Sequence, residues 1–137
     1  MMIEIEKCSR VSGALKAPPS KSMAHRLLIC ALLADGKSTI RNLAMSEDIL
    51  ATIGCIKALG AETSLTAEEG GDTYTITVSR TAGSDSRSAQ ITGIPELNCR
   101  ESGSTLRFFI PVVLSLSGSA VFTGSRRLFE RSVSVYE

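Results

Sequence analysis

The 137-residue chain is long enough to bury roughly 70% of its unfolded surface in one core, and its 43% hydrophobic and 21% charged residues place it among globular proteins rather than disordered or fibrous ones. Fifteen Lys and Arg against fourteen Asp and Glu leave a formal charge of +1, which argues against a nucleic-acid partner, as does an aromatic content of 4% without Trp. No run is long enough for a membrane span and the N-terminus lacks the apolar core of a signal peptide, so a cytoplasmic location away from any membrane is expected.

Met2, Ile3, Glu4, Ile5, Glu6 and Lys7 alternate apolar and charged, the period of a half-buried strand, and residues 11–15 are placed to pair with it. Pro18 and Pro19 stop any strand. Ser20 suits the N-cap of a helix whose apolar positions, among them Met23, Leu27, Leu28, Ala31 and Leu32, run to Asp35 and Gly36. A short strand follows over 38–43, then a second helix capped by Ser46, with Asp48 in its first turn and a stop at Gly60. Residues 62–67 and 73–79 read as a hairpin around the Gly-containing turn at 68–72. The small polar stretch 79–88 reads as a loop.

Beyond that loop the pattern restarts, with a strand over 90–97, a helix over about 102–117 and a strand over 119–123. Pro111 should kink that helix or shift its start. Setting Ser22-Met-Ala-His-Arg26-Leu-Leu-Ile on Gly103-Ser-Thr-Leu-Arg107-Phe-Phe-Ile puts Arg26 on Arg107 and three apolar residues on three, which reads as an internal repeat. The result is an α+β chain of β-α-β-α-β-β units, one complete and one cut off before its second helix, as if from a longer protein.

Three places could carry chemistry. In Pro18-Pro19-Ser20-Lys21-Ser22-x-x-x-Arg26 a loop enters a helix with two cations, two hydroxyls and no acid before Asp35. A helix N-terminus is already electropositive and normally attracts carboxylates, so Lys21 there makes best sense if an anion arrives as a ligand. The plain alternative is a serine cap with solvated Lys and Arg. Glu101-Ser102-Gly103-Ser104-Thr105-x-Arg107 repeats the logic, with a glycine that lets backbone approach a ligand. By itself it is equally an ordinary loop and cap; two equivalent helix ends can converge on one polyanion. Arg126-Arg127-Leu128-Phe129-Glu130-Arg131 is either a solvated face or a loop whose guanidinium fork helps hold a phosphate.

Other chemistries are set aside. Cys8, Cys30, Cys55 and Cys99 lie far apart with His25 as the one histidine, so no zinc or thioredoxin motif is present and buried reduced thiols are expected. Gly36-Lys37-Ser38-Thr39 ends like a P-loop, but Ala31 stands where the first glycine is required and the segment follows a helix. His25 has no supporting carboxylate or thiol in the sequence and reads as a partly buried helix residue rather than a base.

Leu15-Lys16-Ala17-Pro18-Pro19-Ser20-Lys21-Ser22-Met23-Ala24-His25-Arg26, then Ser102-Gly103-Ser104-Thr105-Leu106-Arg107, then Gly124-Ser125-Arg126-Arg127-Leu128-Phe129-Glu130-Arg131, resemble the successive motifs of the enolpyruvyl transferase family, in its 5-enolpyruvylshikimate-3-phosphate synthase branch. The order and spacing match over essentially the whole chain, and the P-x-S-K-S-x-x-x-R stretch separates this branch from the UDP-N-acetylglucosamine enolpyruvyl transferases. The resemblance implies an inside-out α/β barrel built of βαβαββ units. Residues 1–19 would be a strand segment of the family's second domain, and 20–137 a partial N-terminal domain, with one unit at 20–83 and an incomplete one at 84–137.

It also implies two small-molecule substrates, shikimate 3-phosphate and phosphoenolpyruvate, and chemistry without cofactor or metal. Lys21 would contact phosphoenolpyruvate and the attacking hydroxyl as the catalytic residue. Ser22 and Arg26 would bind shikimate 3-phosphate, Gly103, Ser104 and Arg131 would line the phosphoenolpyruvate pocket, and Arg107 would support that loop. Glu101 departs from the Asn usual in the family, and the acid–base carboxylates would lie beyond Glu137, so the chain is expected to be inactive alone. Residues 1–19, deprived of their sheet, would be loosely held or would dimerise through an exposed strand edge.

Overall fold

The computed structural model describes residues 12–80 and 93–130, together with Ile3, Glu4, Lys7 and Arg10. In chain order the elements are α1 (Lys21–Leu33), β1 (Gly36–Leu43), α2 (Glu47–Ala58), β2 (Glu62–Ala67), β3 (Tyr74–Arg80), β4 (Glu96–Asn98), α3 (Gly103–Leu116), β5 (Val121–Thr123) and a single-turn helix α4 (Arg126–Phe129). The α+β expectation holds.

β1, β3 and β2 form an antiparallel sheet in that order, with β3 in the middle. Along β3, Ile76 and Val78 are buried while Thr75, Thr77 and Ser79 are partly exposed, so one face meets the core and the other meets water. Helices α1 and α2 cover the core face. β4 and β5 pair in parallel, as they must when α3 crosses between them. α2 lies between the two sheets, touching α1, α3, β2 and β4. Its buried positions, Ile49, Ala51, Thr52, Ile53, Cys55 and Ile56, therefore wrap most of its circumference, as a helix with neighbours on several sides requires.

The β1 ladder shifts register between Ile40 and Leu43, where Asn42 has φ 56°. A non-glycine residue there needs support. It comes from the side chain of Glu68, which accepts from the Asn42 N–H at 2.9 Å and from the hydroxyls of Thr73 at 2.8 Å and Thr75 at 2.6 Å. These bonds, the Asn42 N–H first, then Thr75 and Thr73, hold the Glu68 carboxyl below its ordinary range. A depressed carboxyl stabilises the fold above the unfolded value of about 4.3 and loses that contribution as pH falls through the folded value. The thermal midpoint is thus expected to fall on acidification below about pH 4.3, and Glu68→Gln to flatten that limb of the midpoint-against-pH curve.

Several expected boundaries move. Residues 12–20 contain no strand, so the pairing expected over 11–15 is not made by the residues described there; an isolated strand leaves its ladder groups unpaired. The strand expected over 90–97 begins only at Glu96, because Pro95 has no N–H to give a ladder, although its carbonyl accepts from Val121 N–H at 2.9 Å. Residues 90–92, the strand expected at 2–7 apart from Ile3, Glu4 and Lys7, and most of the 79–88 loop lie outside the described residues. Pro111 neither ends α3 nor shifts its start from Gly103. Arg126 and Arg127 open α4 instead of lying in a loop. Cys55 and Cys99 are buried as expected, but Cys30 is exposed on α1.

The chain before α4 is tightly placed. A Cβ added at Gly124 would stand 2.6 Å from the Arg100 carbonyl oxygen and 2.9 Å from Leu128 Cδ2. Ser125 N–H donates to the same Arg100 carbonyl at 2.8 Å, which locks the end of β5 onto the loop before α3. Gly124→Ala is expected to lower stability by about 1–3 kcal/mol, the usual cost of overpacking, read from the urea midpoint at unchanged slope.

Candidate functional site

Ser20 and Ser102 occupy equivalent places, each capping its helix from an extended backbone: Met23 N–H donates to Ser20 Oγ at 3.3 Å and Thr105 N–H to Ser102 Oγ at 3.2 Å. Neither α1 nor α3 has an acid in its first turn, whereas α2 has Glu47 and Asp48 there. Aligning the two caps shows the repeat to be one residue out of step with the alignment that set Arg26 on Arg107. By position from the cap, Arg107 matches His25 and Arg26 matches Phe108. One residue turns a helical side chain by about 100°, so the two arginines do not face the site equivalently.

The three N-terminal turns meet around Asp48. Its carboxylate pairs with the Lys21 ammonium. Its carbonyl lies 3.2 Å from Thr52 Oγ1 and 3.3 Å from Thr105 Oγ1, within reach of either hydroxyl. Thr52 Oγ1 and Thr105 Oγ1 are 2.8 Å apart, and Thr105 Oγ1 is 2.7 Å from Ser102 Oγ. On the α1 side, His25 Nδ1 lies 2.7 Å from Thr52 Oγ1. His25, Thr52, Ser102 and Thr105 are all buried. A line of polar atoms thus runs through the interior from α1 across α2 to the first turn of α3. Beside it, Glu47 pairs with Arg100 at 2.5 Å.

The anion that the charge of Lys21 requires is therefore partly supplied by the chain itself. The sequence reading counted acids along α1 and missed Asp48, which comes from α2. The pair is weak. Lys21 keeps 53% of its side chain exposed, and exposed ion pairs contribute about 0–1 kcal/mol, so Asp48 holds it only loosely.

The remaining expected residues divide. Ser22 is exposed on the first turn of α1, with Gly103 partly exposed and Ser104 exposed on the first turn of α3. Arg26 lies with its guanidinium carbon 5.8 Å from the centre of the Phe108 ring, a cation–π contact that ties α1 to α3. Arg107 is exposed on α3. Arg131 lies outside the described residues. Glu101 is exposed in the loop before α3 and makes no ion pair among the described residues. The groove beside Ser20, walled by Pro19, Met23, Leu27 and Arg41 among others, contains none of Lys21, Arg26, Gly103, Ser104 or Arg107.

Among the described residues no cluster of three or more His, Cys, Asp or Glu could hold a metal ion, and no helix is long and apolar enough to cross a membrane. Besides Asp48, reading the sequence missed Thr52 and Phe108 as parts of this assembly, and it named Thr105 in the second motif without giving it a part. The one available signal was Thr52, a hydroxyl amid the apolar run of α2.

Repeated α/β units whose capped helix ends gather Lys, Ser and Gly define a chain of enolpyruvyl-transferase type. The solved EPSP synthase of Acinetobacter baumannii shares the fold, with a TM-score of 0.62 at 21% identity, over 89% of this chain and 25% of that one. The family model for EPSP synthase (3-phosphoshikimate 1-carboxyvinyltransferase) matches residues 5–135, and the chain belongs to this family. Curated 3-phosphoshikimate 1-carboxyvinyltransferases from Clostridium kluyveri and Clostridioides difficile are 40% identical over 128 residues and 42% over 131. The chain spans only 27% and 29% of their lengths, while 93% of the chain is matched in each case.

Proposed function

We propose that this chain is the N-terminal portion of a 3-phosphoshikimate 1-carboxyvinyltransferase, an enzyme that moves the enolpyruvyl group of phosphoenolpyruvate to the 5-hydroxyl of shikimate 3-phosphate and releases phosphate. The observation that supports this reading is the meeting of the first turns of α1 and α3 across α2, where Lys21 pairs with the Asp48 carboxylate and Thr105, next after Gly103 and Ser104, lies 3.3 Å from the Asp48 carbonyl. N–H groups at two helix ends and an ammonium whose own carboxylate partner is weakly held suit a ligand with two or more negative groups.

In this reading Lys21 contacts phosphoenolpyruvate and the attacking hydroxyl. Ser22 and Arg26 hold shikimate 3-phosphate, Gly103, Ser104 and Arg131 line the phosphoenolpyruvate pocket, and Arg107 supports the loop. The 5-hydroxyl oxygen bonds to the enolpyruvyl carbon, a proton adds to the methylene, and the C–O bond to phosphate then breaks with loss of a proton. These side chains stabilise negative charge. The proton-transfer groups belong to segments that the chain does not include, so the chain alone is expected not to turn over.

Residues 1–19 belong, in the same reading, to the second domain of the enzyme. The exposure of Ile3 at 74% and Leu15 at 87% supports this, since both are apolar surfaces in want of a partner.

The test is a chimera in which this chain replaces the matching N-terminal segment of the Clostridioides difficile relative. Phosphate release is expected with shikimate 3-phosphate and phosphoenolpyruvate, and none with UDP-N-acetylglucosamine as acceptor. A folded chimera that uses only the nucleotide sugar, or neither acceptor, would overturn the proposal.

A further inference from the structure

His25 is only 1% exposed, yet its Nε2 has no hydrogen-bond partner among the described residues while Nδ1 sits 2.7 Å from Thr52 Oγ1. A buried imidazole with one nitrogen satisfied and the other bare is an unusual choice for a helix interior, where an apolar residue would pack without leaving a polar atom unpaired. Its position explains it. His25 is the interior contact through which α1 joins the hydroxyl line to α3; the other polar contact of α1 with this assembly, between Lys21 and Asp48, is at the half-exposed surface.

The bare nitrogen decides the form of the ring. A threonine hydroxyl has one proton, and that of Thr52 has three acceptors in reach, the Asp48 carbonyl at 3.2 Å, Thr105 Oγ1 at 2.8 Å and His25 Nδ1 at 2.7 Å. Were Nδ1 the acceptor, the ring hydrogen would sit on Nε2 as a buried N–H without a partner among the described residues, the rarer kind of unpaired group, so Nδ1 carries the hydrogen and Nε2 is the bare acceptor. The charged groups that act on the ring are Asp48 on α2 and Lys21 on α1, and the Phe108 ring, which also carries Arg26 over its face, meets the imidazole edge to face at 6.2 Å. Burial favours the neutral ring, Asp48 opposes this and Lys21 reinforces it, so the net direction is a proton affinity below the ordinary one.

We propose that His25, as the neutral Nδ1–H tautomer, is a positioning residue that sets the Gly103-Ser104 turn of α3 against the Lys21-Ser22 turn of α1 by way of Thr52 and Thr105. That these turns hold substrate rests on the reading above; the link between them does not.

Because the chain contains a single histidine, nitrogen-15 NMR of the 137-residue protein reads the tautomer directly. The expected result is one Nδ1–H imidazole that is less protonated at pH 6.5 than an ordinary histidine, which is about half protonated there. In the same spectra His25→Leu and Thr52→Val should each move the Gly103 and Ser104 amide signals, and His25→Asn, whose amide N–H can stand in for Nδ1–H, should return them towards the wild-type positions. A ring that averages between tautomers or is half charged at pH 6.5, or Gly103 and Ser104 signals that ignore Thr52→Val, would overturn the proposal. Should His25→Leu fail to fold, the wild-type tautomer and Thr52→Val still decide. An inactive chimera with the Nδ1–H tautomer and the coupled amides intact would reject the proposed reaction while leaving this link standing.

Discussion

Lys21→Met, placed in the chimera, is expected to lower kcat by about 10²–10³-fold, the loss seen when one preorganised electrostatic contact to developing charge is removed. The same change should hardly touch folding. The Lys21 side chain is 53% exposed and its partner Asp48 keeps 28% of its own exposed, so the pair contributes about 1 kcal/mol. A large kinetic effect beside a small stability effect separates a residue that meets substrate from one that merely holds α1 to α2. Steady-state assays with both substrates and urea unfolding of the two proteins check the two halves. A loss of activity matched by a comparable loss of stability would assign Lys21 a structural role instead.

Phe109→Ala should have the largest effect on the fold, about 3–5 kcal/mol. Phe109 has no exposed surface and is the largest fully buried side chain among the described residues. It sits on α3 in the cluster that joins the two sheets, where α2 already fills the space on the other side. A domain of ordinary stability has about 5–15 kcal/mol in all, so the substitution should leave the protein partly or wholly unfolded at room temperature. Leu114, on the same helix but 62% exposed, is the control, and Leu114→Ala should stay within about 0.5 kcal/mol. Urea midpoints and slopes for the pair test this.

What could be read from the sequence follows from range. Elements fixed by neighbours in the chain came through: the Ser20 and Ser46 caps, the stop at Gly60, the glycine turn of the β2–β3 hairpin and the helix after Ser102 all depend on contacts within a few residues. Failures came where a distant partner decides. β4 is short because its ladder needs β5 and Pro95 cannot contribute a donor, and nothing near residue 95 in the chain says where β5 will stop.

The candidate site divides in the same way. Lys21, Ser22, Gly103 and Ser104 stand out locally as hydroxyls, glycine and cation at capped helix ends. Asp48, Thr52 and Thr105 act by meeting residues on other helices, and their spacing carries no trace of that. The one-residue slip between the Arg26–Arg107 alignment and the caps shows the hazard. Matching side-chain identity put guanidinium on guanidinium, whereas the backbone puts Arg26 level with Phe108, and the two side chains then meet as a cation and a ring.

If the first turns of α1 and α3 serve one ligand, a double-mutant cycle in the chimera should show it, with Lys21→Met and Ser104→Ala made singly and together and kcat/KM measured for phosphoenolpyruvate. Groups that share a ligand should be coupled by about 0.5–3 kcal/mol. Two losses that simply add, to within about 0.3–0.5 kcal/mol, would show that the two helix ends act on separate things and would contradict the shared site.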